Sequence, residues 1–139
     1  MWPHDTAIVV HGLVRAGHSA RVSGLVAGLL AAGEAFDHRL PELYGGDDAS
    51  GLARLVPYPA ACRPQAWSAA ASVVLLQAVL GLEVDVPGER ISLHPPRPSP
   101  VGALRVEGLR IGDDVVTVEL DAAGTVLDVS GTSLHVDTD

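Results

Sequence analysis

From Trp67 to Leu82 the chain is apolar on nearly every side of a helix. Trp67, Ala70, Ala71, Val74, Leu75, Ala78, Val79 and Leu82 form one stripe at i, i+3, i+4, i+7 spacing, and Ala66, Ala69, Val73, Leu76 and Leu80 cover the other faces. Such a helix has to be surrounded. A bilayer is not what surrounds it. The run from about Ala69 to Leu82 is shorter than the roughly 20 residues a membrane span needs, and it carries Ser72 and Gln77. Companion helices are expected, yet the periodicity predicts only two others in the chain, too few to enclose it.

Those two come first. Trp2-Pro3-His4-Asp5-Thr6 reads as a helix start, with Asp5 or Thr6 able to cap backbone N–H groups, and the helix is expected to run to about Ala16 and stop at Gly17. A second helix begins at His18-Ser19, with Val22, Leu25, Val26, Leu29 and Leu30 at helical spacing. Gly24, Gly28 and Gly33 lie within it, and each costs about 1 kcal/mol relative to alanine. Close approach of a neighbouring helix is the expected compensation.

Between Asp37 and Pro64 no period is sustained, and Pro41, Gly45, Pro57, Pro59 and Pro64 break regular structure. A stretch this long without period is usually functional or disordered. Leu40, Leu43, Tyr44, Leu52, Leu55, Val56 and Tyr58 favour an ordered loop packed on something. Glu42 stands in it between Pro41 and Leu43-Tyr44, ahead of Gly45-Gly46. It is either a solvated charge beyond a helix end or an acid or base carried on a loop.

After Gly81 the pattern changes to short runs rich in Val, Leu and Ile: Glu83 to Val86, Arg90 to His94, Leu104 to Leu109, Val115 to Leu120 and Val126 to Val129. Gly112-Asp113-Asp114 and Asp121-Ala122-Ala123-Gly124 are hairpin-turn signals. Helices followed by strands predict an α+β protein: residues 1–82 helical with the loop at 37–64, and residues 83–139 a small antiparallel sheet. At 139 residues the chain can bury one core, and with 4% aromatic residues that core must be built from Leu, Val and Ala.

Composition narrows the partners. A formal net charge of -8 argues against a nucleic-acid backbone or an anionic membrane. One cysteine, Cys62, permits no internal disulfide, and no basic-then-apolar leader opens the sequence, so a soluble, cytoplasmic protein is expected. His4, His11 and His18 recur every seven residues, which separates them along a helix by about 10.5 Å per step, too far for ligands of one metal ion. No metal and no cofactor is expected, since Gly45-Gly46 lacks the Lys-Ser or Lys-Thr of a phosphate loop and no dinucleotide fingerprint follows a strand. Cys62 before a helix start could be a nucleophile, but nothing selects one of six histidines as its base. What remains is a set of carboxylates, an amide and aromatics: Trp2, Asp5, Glu42, Tyr44, Gln65 and Trp67. Aromatic faces under a ring and carboxylates around its hydroxyls are how sugars are held. Trp67 also fits the core stripe, and Tyr44 equally fits a role packing the loop.

Trp2-Pro3-His4-Asp5-Thr6-Ala7, Leu40-Pro41-Glu42-Leu43-Tyr44, Tyr58-Pro59 and Cys62-Arg63-Pro64-Gln65-Ala66-Trp67 occur in this order. The ordered set resembles the C-terminal part of bacterial amylo-α-1,6-glucosidase (glycogen-debranching) proteins and their mannosylglycerate-hydrolase-like relatives, over nearly the whole chain. The resemblance implies the last helices of an (α/α) six-hairpin toroid, the fold also used by glucoamylases, followed by a C-terminal β extension. It implies a chain that starts inside a motif, with Met1 where relatives commonly have an aliphatic residue, as when a valine codon is read as a start.

The resemblance further implies inverting hydrolysis of α-linked glucans by two carboxyls about 6.5–9.5 Å apart. Glu42 stands where the general base does, with Trp2 as a stacking face and Asp5 binding hydroxyls or capping its helix. Tyr44, Gln65 and Trp67 complete the carbohydrate site. The general acid comes from an earlier helix pair, so a missing toroid segment on another chain is an implied partner. The alternative is a truncated remnant or split-enzyme subunit without activity of its own. Gly45-Gly46-Asp47-Asp48 departs from relatives that carry an aromatic in that loop.

Overall fold

A computed structural model of the chain describes residues 1–46 and 55–138. It is α+β, with three helices followed by six strands in two small sheets. Helix α1 spans Pro3–Arg15 and α2 Val22–Ala35, joined through a 3-10 turn at Ser19–Arg21; α3 spans Ala66–Leu80. Helix α1 starts earlier than its polar residues suggest. Trp2 is the N-cap and Pro3 takes the first turn, where its missing N–H costs nothing. Asp5 and Thr6 therefore lie inside the helix rather than capping it, and the Thr6 hydroxyl donates back to the Trp2 carbonyl at 2.9 Å. Gly17, at φ 73°, sets the stop.

Helices α1 and α3 pack side by side and run parallel. At one end the His4 ring lies 6.1 Å from that of Trp67; at the other, Arg15 Nε meets Glu83 Oε1 at 2.7 Å. Helix α2 returns antiparallel, bringing Phe36 beside Tyr44 and hence beside Met1. Ala7, Leu29 and Ala71 meet where the three helices converge, and Val10, Val22, Val26, Ala78 and Val79 continue that core. Gly24, Gly28 and Gly33 play no part in it: a Cβ at any of them would meet nothing within 4 Å among the described residues. The close helix approach expected at these positions is absent, because α2 presents Val22, Val26 and Leu29 to its neighbours and turns the glycines away.

Nor is α3 enclosed. Helices α1 and α2 cover one side of it, while Val73 remains 65% exposed and Ala66, Ala69 and Ala70 are exposed with it. On α1, Ile8 is 63% exposed. Among the described residues, no helix is long and apolar enough to cross a membrane.

Helix α3 ends at Gly81, which adopts the left-handed conformation (φ 58°) and receives the His94 N–H at 3.0 Å. Strands β1 (Leu82–Asp85) and β2 (Arg90–Leu93) pair antiparallel, and β6 (His135–Asp137) joins β2 in parallel. Strands β3 (Leu104–Ile111), β4 (Asp114–Leu120) and β5 (Val126–Ser130) form an antiparallel meander with a bulge between Val106 and Leu109. The expected single antiparallel sheet is thus two three-stranded sheets, one with a parallel edge. Leu80, Ile91 and Leu93 share a core with Val116, Val118 and Leu120, so the two sheets and the end of α3 close on each other.

Candidate functional site

The parallel run of α1 and α3 brings both helix starts to one end of the molecule, and the candidate residues gather there. Trp2, 42% exposed, caps α1; Trp67, 64% exposed, is in the first turn of α3. The His4 ring lies between them, 5.5 Å from Trp2 in an edge-on arrangement and 6.1 Å from Trp67. Asp5 Oδ1 stands 3.6 Å from His4 Nε2. His4 Nδ1 is buried and has no hydrogen-bond partner among the described residues. The loop meets α3 at the neighbouring Ser68 and leaves Trp67 uncovered. The place of Trp67 on the apolar stripe does not make it core.

The stretch carrying Glu42 is fastened beside this cluster at three points. The buried Ser68 hydroxyl, next to Trp67, donates to the Pro41 carbonyl at 2.7 Å. The Tyr44 N–H donates to the Met1 carbonyl at 3.0 Å, and the Met1 amino group donates back to the Tyr44 carbonyl. The Glu42 N–H donates to the Cys62 carbonyl at 2.9 Å, while the Cys62 N–H faces Glu42 Oε2 at 3.4 Å. Glu42 is half-buried, its backbone locked on both sides and its carboxylate meeting one amide. Its segment therefore runs between Met1 and Ser68, whose neighbours are Trp2 and Trp67.

Tyr44 serves a different purpose from a sugar contact. It is 2% exposed, packs 5.5 Å from the Phe36 ring with Ala32, and directs its hydroxyl to Met1 Sδ at 3.3 Å. Burial pushes its phenol pKa up, by withholding water from the phenolate. The loop-packing role is the one it fills. Gln65 is the N-cap of α3: its side-chain oxygen accepts the Ala66 N–H at 2.8 Å, which leaves the amide NH2 for a ligand. Cys62 is exposed, and its backbone rather than its thiol meets Glu42. The 47–54 segment, with Asp47 and Asp48, lies outside the described residues.

The turn out of α2 explains how Glu42 reaches this place. Asp37 and His38 both adopt positive φ, 53° and 57°, at a cost of about 1–2 kcal/mol each for side-chain-bearing residues. The His38 N–H closes back on the Gly33 carbonyl at 2.7 Å, and Leu40 packs with Phe36 and Tyr44. Sequence reasoning found the loop but gave His4 no place among the site residues; it entered within the helix-start motif and as one of three evenly spaced histidines. The useful signal was an aromatic two residues before it at a helix start. Among the described residues, no group of three His, Cys, Asp or Glu side chains could hold a metal ion.

Two exposed indoles around an imidazole, with carboxylates at Asp5 and Glu42, suit a ligand with apolar C–H faces and hydroxyl edges. No family model matches the chain, and no curated protein matches it.

Proposed function

We propose that the chain is the C-terminal part of a glycoside hydrolase of the amylo-α-1,6-glucosidase, glycogen-debranching type, acting on α-linked glucans. Its three helices are the last of an (α/α) six-hairpin toroid and its two sheets the β extension. Glu42 is the general base, Trp2 and Trp67 give stacking faces, and Asp5 and the Gln65 amide bind hydroxyls. The observation that carries this reading is the placement of Trp2, His4 and Trp67 as an open aromatic cluster beside the clamped Glu42 segment. The parallel α1 and α3 with antiparallel α2 also suit a ring of paired helices.

A second reading has its own support: the chain binds sugar but turns nothing over alone. One carboxyl cannot both protonate the leaving oxygen and activate water. The exposed faces of α1 and α3 suit burial against further toroid helices.

The chain has only two tryptophans, and both line the cluster, so fluorescence excited selectively at tryptophan reports on this site alone. Malto-oligosaccharide or a branched α-1,6-linked glucan should shift or quench the emission saturably, and Trp2→Ala should abolish that response. An emission unchanged by saturating glucan would overturn the carbohydrate reading. In the same assay Glu42→Gln should keep binding, with no glucose released by either form. Glucose release that disappears in Glu42→Gln would replace the second reading with a self-sufficient hydrolase.

A further inference from the structure

Beside the Glu42–Cys62 contact lies an arginine that does not touch Glu42. Arg63 directly follows Cys62, whose N–H and carbonyl meet Glu42. Its guanidinium reaches the end of α2 instead: Nε donates to the Arg39 carbonyl at 3.0 Å, and Nη2 donates to the Phe36 carbonyl and to Asp37 Oδ2, the latter at 3.0 Å. The group also lies 5.6 Å from the centre of the Phe36 ring. These partners belong to the turn made by Asp37 and His38, the two left-handed residues that swing the chain from α2 toward Glu42.

We propose that Arg63 is the positioning residue of the Glu42 carboxylate. By binding the carbonyls on either side of the left-handed pair, it fixes the turn that delivers Glu42. Being covalently next to Cys62, it fixes the amide that receives Glu42 on the same guanidinium. A planar fork with N–H donors in set directions can serve two carbonyls and a carboxylate together while lying against a ring. A lysine ammonium, with three donors at one point, cannot hold that arrangement. The Ser68 to Pro41 hydrogen bond anchors the loop independently, so losing Arg63 frees the Glu42–Cys62 contact without releasing the loop from α3.

The assignment rests on reading Glu42 as the base of the site, but its test involves neither sugar nor turnover, so the two can fail separately. In the full chain, Glu42→Gln should shift the Cys62 amide resonance, because it removes the carboxylate that faces that N–H. In an Arg63→Ala background the same Glu42→Gln change should leave the Cys62 amide unmoved, while the circular dichroism of the helices and the Ser68 amide signal are kept. A residue that only stabilised the fold would lower the melting temperature and leave the Cys62 response to Glu42→Gln as in the parent. That result, or a parent Cys62 amide that ignores Glu42, overturns the proposal. If Arg63→Ala does not fold, Arg63→Lys decides: a diminished Cys62 response upholds the role of the fork, and an unchanged one overturns it.

Discussion

Tyr44 shows how a residue beside a site can matter without touching a ligand. Its ring fills the space between Phe36, Ala32 and Met1, and its backbone ties the Glu42 loop to the start of α1. The raised phenol pKa has a definite stability consequence. Its contribution is complete below the unfolded tyrosine value, about 10, and is lost as pH rises through the folded value. The loop should therefore loosen in strong alkali, with the Tyr44 phenolate appearing above the ordinary tyrosine range in an absorbance titration. Tyr44→Phe should remove that alkaline loss at small cost near neutrality, since the hydroxyl gives up only a weak bond to sulfur. Ionisation of Tyr44 within the ordinary tyrosine range would contradict the packing.

Among the elements, Gly81 has the least freedom to change. It combines φ 58° with an added Cβ only 2.0 Å from the His94 carbonyl oxygen, so a side chain there must displace backbone. Gly81→Ala should cost about 2–3 kcal/mol in denaturant unfolding, whereas Gly28→Ala, in open space on α2, should be neutral or stabilising by up to about 1 kcal/mol. Equal effects at the two positions would refute this contrast.

The same elements mark what could be read from the sequence. Helix spacing located α1, α2 and α3 to within a few residues, and short runs rich in Val, Leu and Ile located β1 to β5, because those signals are local. Strand β6 was missed: its three residues pair in parallel with β2 across more than forty positions, and no short-range pattern encodes such a partner. The site was legible as a set of residue types. Periodicity names the apolar face of α3 but not which part of it a neighbour covers, so the exposure of Trp67 could not be read. Nor could the burial of Tyr44, which depends on Met1 and Phe36 arriving from elsewhere.

At the scale of the whole molecule, α3 contributes to two cores. Ala71, Ala78 and Val79 belong to the helical side, while Leu80 is buried with Ile91, Leu93 and Leu120 among the strands. The helical part, residues 1–82, and the strand part, residues 83–139, should accordingly unfold together. Leu80→Ala should cost about 2–5 kcal/mol, and helical dichroism and sheet amide protection should fall in one coincident transition. Two separated transitions would show the halves to be independent.

The Gly81 junction is also the joint between α3 and the strands. Helix α3 extends about 22 Å from it, at 1.5 Å for each of its 15 residues. A rotation of about 10° at that joint would carry the far end through about 4 Å relative to the strands. Trp67 rides on that end, and α1 and the Glu42 loop are fastened to α3, so the aromatic cluster would travel as a body. The cleft of about 430 Å3 between Leu29, Leu75 and Leu104 would instead change width. A turn at that one glycine would thus alter the gap between the helical layer and the strands, against the Leu80 core and the Arg15–Glu83 pair that also join them, while leaving the spacing within the cluster unchanged.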